Sequence, residues 1–330
     1  MNIVTQFRGF VNPRAGVQTK KIAGRFCEAE RGHNCLFAKS FSLAHGHDMI
    51  YSPGKLEFVN VFILNIERQM YFMKYYVVDA FSEHVFHGNP AGVCLVDSLL
   101  DGETMQSIAA ENNLAETAFI IPKGNDFDLR WFTPTVEMDL CGHATLASAF
   151  VISNFINKNM DTVKFNTLSG VLEVTKRGDL FEMDFPARKP QKIQLHPLME
   201  QALGCSVIGA YQSRDCVLLV ESERAVQAII PNMELLSQIP DSFAVIVTAK
   251  GSSVDFVSRF FAPNAGIPED PVTGSSHSTL IPFWAERLQK KQMIAKQLSK
   301  RGGTLYCEDC GERVKISGKA VLYLSGEINY

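Results

Sequence analysis

The spacing of apolar and polar residues changes character near residue 73. Residues 1–72 carry His33, His45, His47 and scattered basic residues, with no sustained period of 2 or 3.6. They read as an appendage outside the main fold, poorly ordered or non-native. Met73 offers an alternative start, with the leading segment an upstream translation or a regulatory extension. From residue 74 the text becomes β-branched and aromatic, and residues 74–81 have the composition of a buried strand. Gly88, Asn89 and Pro90 then predict a turn, residues 91–96 a second strand, and residues 102–112 a helix with Met105, Ile108 and Ala109 on its apolar face. Residues 118–121 and 129–132 read as further strands. Residues 141–150 open on Cys141, Gly142 and His143 and continue in alanine, serine and threonine, as a helix enclosed by sheet would.

This order recurs. An R-x-F-x-P pattern appears at 130–134 and again at 259–263. Each copy leads through an acidic stretch into glycine and a small-residue segment, at 137–147 and 269–279. Strand-like alternation follows each, at 163–184 and 303–324. The repetition predicts two related lobes, residues 73–187 and 188–330, with a cleft between them, and such clefts are preferred ligand sites.

Composition removes several classes of function. A chain of 330 residues with 46% hydrophobic content can fill two cores. Its 32 basic and 35 acidic residues, net −3, supply no broad positive field for a phosphate backbone, so nucleic acid is not an expected partner. The longest apolar runs, 244–248 and 217–220, fall far short of the roughly 20 residues of a membrane helix. No export signal is legible at the N-terminus, which points to the cytoplasm. The eight cysteines are irregularly spaced and read as reduced thiols. Cys307 and Cys310 have the spacing of half a zinc site, but nothing completes it.

Three places in the sequence can carry chemistry. Glu116 lies where helical text ends and apolar strand text resumes. A carboxylate drawn into such a setting is suited to accept and return a proton; a helix-end acid in solvent is the alternative. His143 and Cys141 flank Gly142 at the mouth of the small-residue helix, where free backbone N–H groups can hold an anion. His143 is either a ligand or proton relay, or a hydrogen-bonded structural residue. Cys141 is either a thiol acid/base or a small buried hydrophobe. In the second half, Asp270 precedes Gly274, Ser275 and Ser276, whose amides and hydroxyls can cradle a carboxylate or simply cap a helix. No dinucleotide or phosphate-loop glycine motif is present.

Together, residues 79–81, 88–90, 113–117, 130–134, 139–145 and 259–275 resemble the PhzF-like family, which shares the diaminopimelate epimerase fold. The resemblance covers nearly everything after Met73. It implies an α+β protein of two similar lobes, each a mainly antiparallel sheet rolled around a central helix, with the active site between them. It implies Glu116 as the base, with His143 and Asp270 in the catalytic pocket. Asn89, Gly142, Gly274 and Ser275 fall at substrate-binding positions. It also implies a small carboxylate-bearing substrate, a proton-shift isomerisation, no cofactor and no metal, and a homodimer. Epimerases of the same fold use two opposed cysteines; this chain keeps Cys141 but has no thiol near Asp270. Two rivals follow, a non-catalytic binding protein and an amino or hydroxy acid epimerase using Cys141.

Overall fold

A computed structural model describes residues 45–52, 55–62, 72–96 and 100–330, and the chain divides into two units, Met1–Met70 and Tyr71–Tyr330. In the first unit the strands His45–Ser52 and Lys55–Phe62 pair antiparallel. This hairpin stands where the sequence predicts no regular element. Its two strands are separated in sequence by Pro53-Gly54, a turn-type pair whose signal is local and easily passed over. The remainder of the expected appendage lies outside the described residues.

The second unit is α+β and two-lobed. In the first half, the strand Phe72–Ala80 pairs antiparallel with Asn89–Leu95, which runs parallel to Glu116–Lys123 across the helix Gly102–Asn112. Asp101 caps that helix through the Thr104 N–H, and Asn113 ends it in the left-handed conformation. Glu116–Lys123 pairs antiparallel with Asp126–Phe132, which runs parallel to Thr162–Thr167. The second half repeats this alternation. Cys216–Leu219 is parallel to Val245–Lys250, that strand is antiparallel to Phe256–Ala262, and Phe256–Ala262 is parallel to Gln292–Gln297.

Each half encloses one helix. Gly142–Val151 has eight of its ten residues buried and packs on strands of the first half. It is buried all round, and its alanines and Ser148 allow the surrounding strands to approach closely. Gly274–Leu288 is buried from Ser276 to Ala285 and packs on the strands Gln292–Gln297, Gly303–Asp309 and Arg313–Gly318. The halves are stitched together by the chain itself. Leu180–Pro186 pairs with Arg313–Gly318, and the last strand, Ala320–Asn329, returns to pair with Phe72–Ala80. We propose 73–187 and 188–330 as the two lobes, with residues 320–329 lent back to the first.

The sequence repeat has a physical meaning. Arg130 stacks over Phe132 at 5.1 Å and grips Glu137 through two hydrogen bonds of 2.6 and 2.8 Å. Arg259 stacks over Phe261 at 4.9 Å and grips Glu269 at 2.7 and 3.1 Å. In both, arginine and phenylalanine two residues apart share a strand face, while the arginine clamps the acidic stretch leading to the buried helix. The second clamp is drier, with side-chain exposures of 11% and 23% against 30% and 29%. Arg259 also donates to the carbonyls of Val226 and Ile229. Lysine offers one point charge in place of this fork. Urea unfolding is expected to show Arg259→Lys costing about 1 to 2 kcal/mol more than Arg130→Lys. Equal costs would deny the added role of the two carbonyls.

Candidate active site

The buried helices meet tip to tip. A Cβ placed on Gly142 would lie 3.7 Å from the Gly274 Cα, and one on Gly274 would lie 3.8 Å from the Gly142 Cα and 3.6 Å from Phe81. A Cβ at either position would be in ordinary van der Waals contact, so the two tips approach to within one side-chain layer of each other. Neither helix has a side-chain cap, since Cys141 and Thr273 make none, whereas Asp101, Ser222 and Asn232 cap their own helices. Two sets of first-turn N–H groups therefore remain available to an anion at the junction.

Beside these tips lie the residues singled out from sequence. Glu116 begins the strand Glu116–Lys123 and is 8% exposed. Its Oε2 comes within 3.0 Å of His143 Nε2, yet neither atom has a hydrogen-bond partner. The contact is a close charge approach out of line for hydrogen bonding, and both atoms can turn to a third group. His143 Nδ1 lies 3.6 Å from Cys141 Sγ and 3.2 Å from Asn89 Nδ2. Asn89 donates to Asp270 Oδ1 at 2.8 Å and to the Val272 carbonyl at 2.9 Å, which uses both of its N–H bonds. His143 is thereby left to share its Nδ1 with Cys141. Asn89 also bridges the halves, tying the strand Asn89–Leu95 to the segment before the second helix.

The electrostatics follow from burial. Desolvation alone would lower the His143 pKa, but its contacts with Cys141 and with the Glu116 carboxylate overcome it and raise it well above the usual imidazole value. The Cys141 thiol is pushed up, first by desolvation and then by Glu116, so it rests as S–H and not as a thiolate. Burial raises Asp270 to about 6, against the lowering influence of His143, Thr273 and Asn89.

Asn89, Glu116, Cys141, Gly142, His143, Asp270 and Gly274 are thus gathered at one junction. Ser275 is in the first turn of the second helix, but its hydroxyl is held at 3.4 Å by Arg214, which is itself paired to the buried Asp215. Two further residues were not singled out from sequence. Thr273 donates its hydroxyl to Asp270 Oδ2. Gln297 accepts from the Thr273 N–H at 2.9 Å and donates to the Asp270 carbonyl at 2.7 Å, fixing the loop before the helix. Thr273 was visible within the 259–275 motif; Gln297 comes from a distant strand with no local mark. Cys307 and Cys310 are free thiols, one buried in the strand Gly303–Asp309 and the other exposed after it. A hollow of about 280 Å³ lined by Phe81, His84, His87, Gln297 and Arg301 adjoins the junction, but Glu116, His143 and Asp270 are not among its walls.

His277 lies on the second buried helix with no exposure, its Nδ1 2.9 Å from the Thr273 carbonyl. Desolvation lowers its pKa from 6.5 to about 4. The unfolded chain binds a proton that the folded one refuses, so this stabilisation is full above 6.5 and is lost as pH falls towards 4. Asp270 runs the other way: its raised pKa contributes stability at low pH that is lost as pH rises through about 6. The two slopes oppose each other in the native protein, and a His277→Gln variant separates them. Denaturant unfolding is expected to show the difference between wild type and variant shrinking by about 3 kcal/mol from pH 7 to pH 4. Parallel curves would place a charged or exposed ring at 277.

The model of the PhzC-PhzF family, described as phenazine biosynthesis-like protein, matches residues 78–326. An uncharacterized isomerase of Pseudomonas aeruginosa is 46% identical over 252 residues, covering 76% of this chain and 97% of the relative. A crystal structure of a phenazine biosynthesis protein PhzF family member from Enterococcus faecalis is 47% identical and covers 78% of this chain and 99% of that one, with a TM-score of 0.77. A putative phenazine biosynthesis PhzC/PhzF protein from Clostridium difficile is 52% identical and covers 77% and 98% of the two chains, with a TM-score of 0.74.

Proposed function

Because this chain belongs to the phenazine biosynthesis-like PhzC-PhzF family and is an isomerase-type enzyme, we propose that it moves a proton on a small carboxylate-bearing molecule, with Glu116 as the general acid/base. The observation that carries this reading is the buried carboxylate oxygen of Glu116, left without a hydrogen-bond partner in a site where two uncapped helix tips meet. The N–H groups around Gly142, Gly274 and Ser275 bind the substrate carboxylate and fix its orientation. Glu116 takes a proton from an activated carbon and returns it to another position, with the His143 ring 3.0 Å from its carboxylate. Asp270, held by Asn89 and Thr273, bounds the pocket on the side of the second half and titrates where it can donate or accept a proton.

No step in this proton shift calls for a cofactor. No helix among the described residues is long and apolar enough to cross a membrane; this reading adopts a homodimer by family likeness and a cytoplasmic location from the N-terminal sequence. A panel of small cyclic and amino carboxylates, screened for deuterium uptake from solvent, tests the proposal. Uptake that requires Glu116 supports it, while saturable binding without exchange sinks it in favour of a binding protein.

Racemisation through Cys141 is the competing reading, and it draws on the approach of that thiol to His143. Two features weigh against it. The thiol is held protonated by burial, and the segment opposite it, from Asp270 to Thr273, offers no second sulfur. Loss of a racemising activity on alkylation of Cys141 would favour it.

A further inference from the structure

The same pocket contains a donor set that proton transfer does not use in full. Glu116, Cys141 and His143 are all buried, and one ligand atom from each lies within 4.8 Å of the other two. A tetrahedral zinc ion, with bonds of about 2.0 to 2.3 Å, sets its ligand atoms about 3.3 to 3.6 Å apart. The Glu116 and His143 atoms, at 3.0 Å, already lie near that spacing. Both are atoms with no hydrogen-bond partner in the protein interior. Among the described residues, no lysine or arginine side chain hydrogen-bonds to or forms an ion pair with any of the three, so no fixed cation fills the space between them. Sulfur, imidazole nitrogen and carboxylate oxygen together are a set that suits a borderline-soft divalent ion.

We propose that Glu116, Cys141 and His143 form a site for a thiophilic divalent cation of the zinc type, and that the cation holds the enzyme reversibly inactive. On binding, the Cys141 S–H bond and one N–H bond of the charged His143 ring each give a proton to solvent, two in all, and a metal–sulfur bond forms. Glu116 and His143 each donate a lone pair, and one coordination position is left to a solvent oxygen. No electrons are transferred. Inhibition follows because the cation takes the Glu116 oxygen that would receive the substrate proton; this consequence rests on the role given to Glu116 above, whereas the binding does not.

Cobalt(II) reports the site directly, because a thiolate bound to it produces an absorption band in the near ultraviolet. Full-length protein titrated with cobalt is expected to show a band that zinc bleaches, and Cys141→Ser is expected to lose one equivalent of it. Glu116→Gln, which keeps the thiol, is expected to keep the band while binding at least about tenfold more weakly. The Cys307→Ser/Cys310→Ser double variant is expected to titrate like wild type. A Cys141→Ser protein that titrates like wild type would overturn the site, as would a wild-type protein with no band. Should Cys141→Ser fail to fold, unchanged affinity in Glu116→Gln overturns it instead. Zinc that occupies the site but leaves deuterium exchange running would retain the site and refute Glu116 as the base, so the two failures are distinguishable.

Discussion

Replacing Glu116 with glutamine is expected to slow deuterium exchange into an accepted carboxylate by about 10²- to 10⁴-fold, the usual contribution of a positioned acid/base. The amide keeps the size and planarity of the carboxylate but takes up no proton near neutral pH. Affinity for the carboxylate should be unchanged, because the helix tips and not Glu116 are assigned to anion binding. Thermal stability should fall by less than an uncompensated buried charge would cost, since without Glu116 one of the groups that hold the His143 pKa up is gone and the ring can shed its proton. A variant that turns over normally would remove Glu116 from the reaction. The companion change, His143→Ala, should lower exchange as well, and full turnover together with full binding in that protein would take His143 out of the site.

A second large effect is expected at the seam between the halves. Arg301 donates to Asp79 at 2.6 Å, to the Gly88 carbonyl at 2.8 Å and to the His87 carbonyl at 3.0 Å. The Asp79 side chain is only 3% exposed, and desolvation raises its pKa despite the Phe86 N–H and the Arg301 charge that hold it down. Beside this pair the Gly88 N–H donates to the Gly302 carbonyl and the Thr304 N–H to the Phe81 carbonyl. Gly88 has φ of +68°, and a Cβ there would come within 2.1 Å of the Ala80 carbonyl oxygen, so only glycine fits this turn. Arg301→Ala leaves a buried carboxylate with a single N–H, and an uncompensated buried charge costs about 3 to 5 kcal/mol. In a unit of this size the melting temperature should drop by on the order of 10 °C. Adding Asp79→Asn should recover part of the loss by removing the stranded charge. A drop that the second substitution leaves untouched would mean that the carbonyl contacts, and not the ion pair, hold the seam.

These two centres were not equally legible in the sequence. Glu116 stood out because a charge sits where a strand begins, and the buried helices stood out because their small residues repeat in the same order in both halves. The R-x-F-x-P repeat was readable as repetition, although its clamp on Glu137 and Glu269 emerges only once the strands bring each pair together. Gln297, Asp79 and Arg301 are different. Each acts on a partner far away in sequence, and nothing in its immediate neighbours marks the pairing. Ser275 was legible as a helix-tip serine, yet its hydroxyl faces Arg214, a residue that no motif drew in. Residues 45–62 carried a turn pair too short to stand out in a stretch without a clear period.

The way the last strand is used bears on how the protein is made. Phe72–Ala80 has Asn89–Leu95 on one side and Ala320–Asn329 on the other, so one edge of an early strand stays open until residues 320–329 have been made. The N-terminal half can gather its helix and hairpins during synthesis, but its sheet closes only once residues 320–329 have emerged, and an open edge in a nascent chain invites pairing with a neighbour. Truncation before residue 320 would do more than shorten the chain. It would leave that edge permanently bare in every molecule produced.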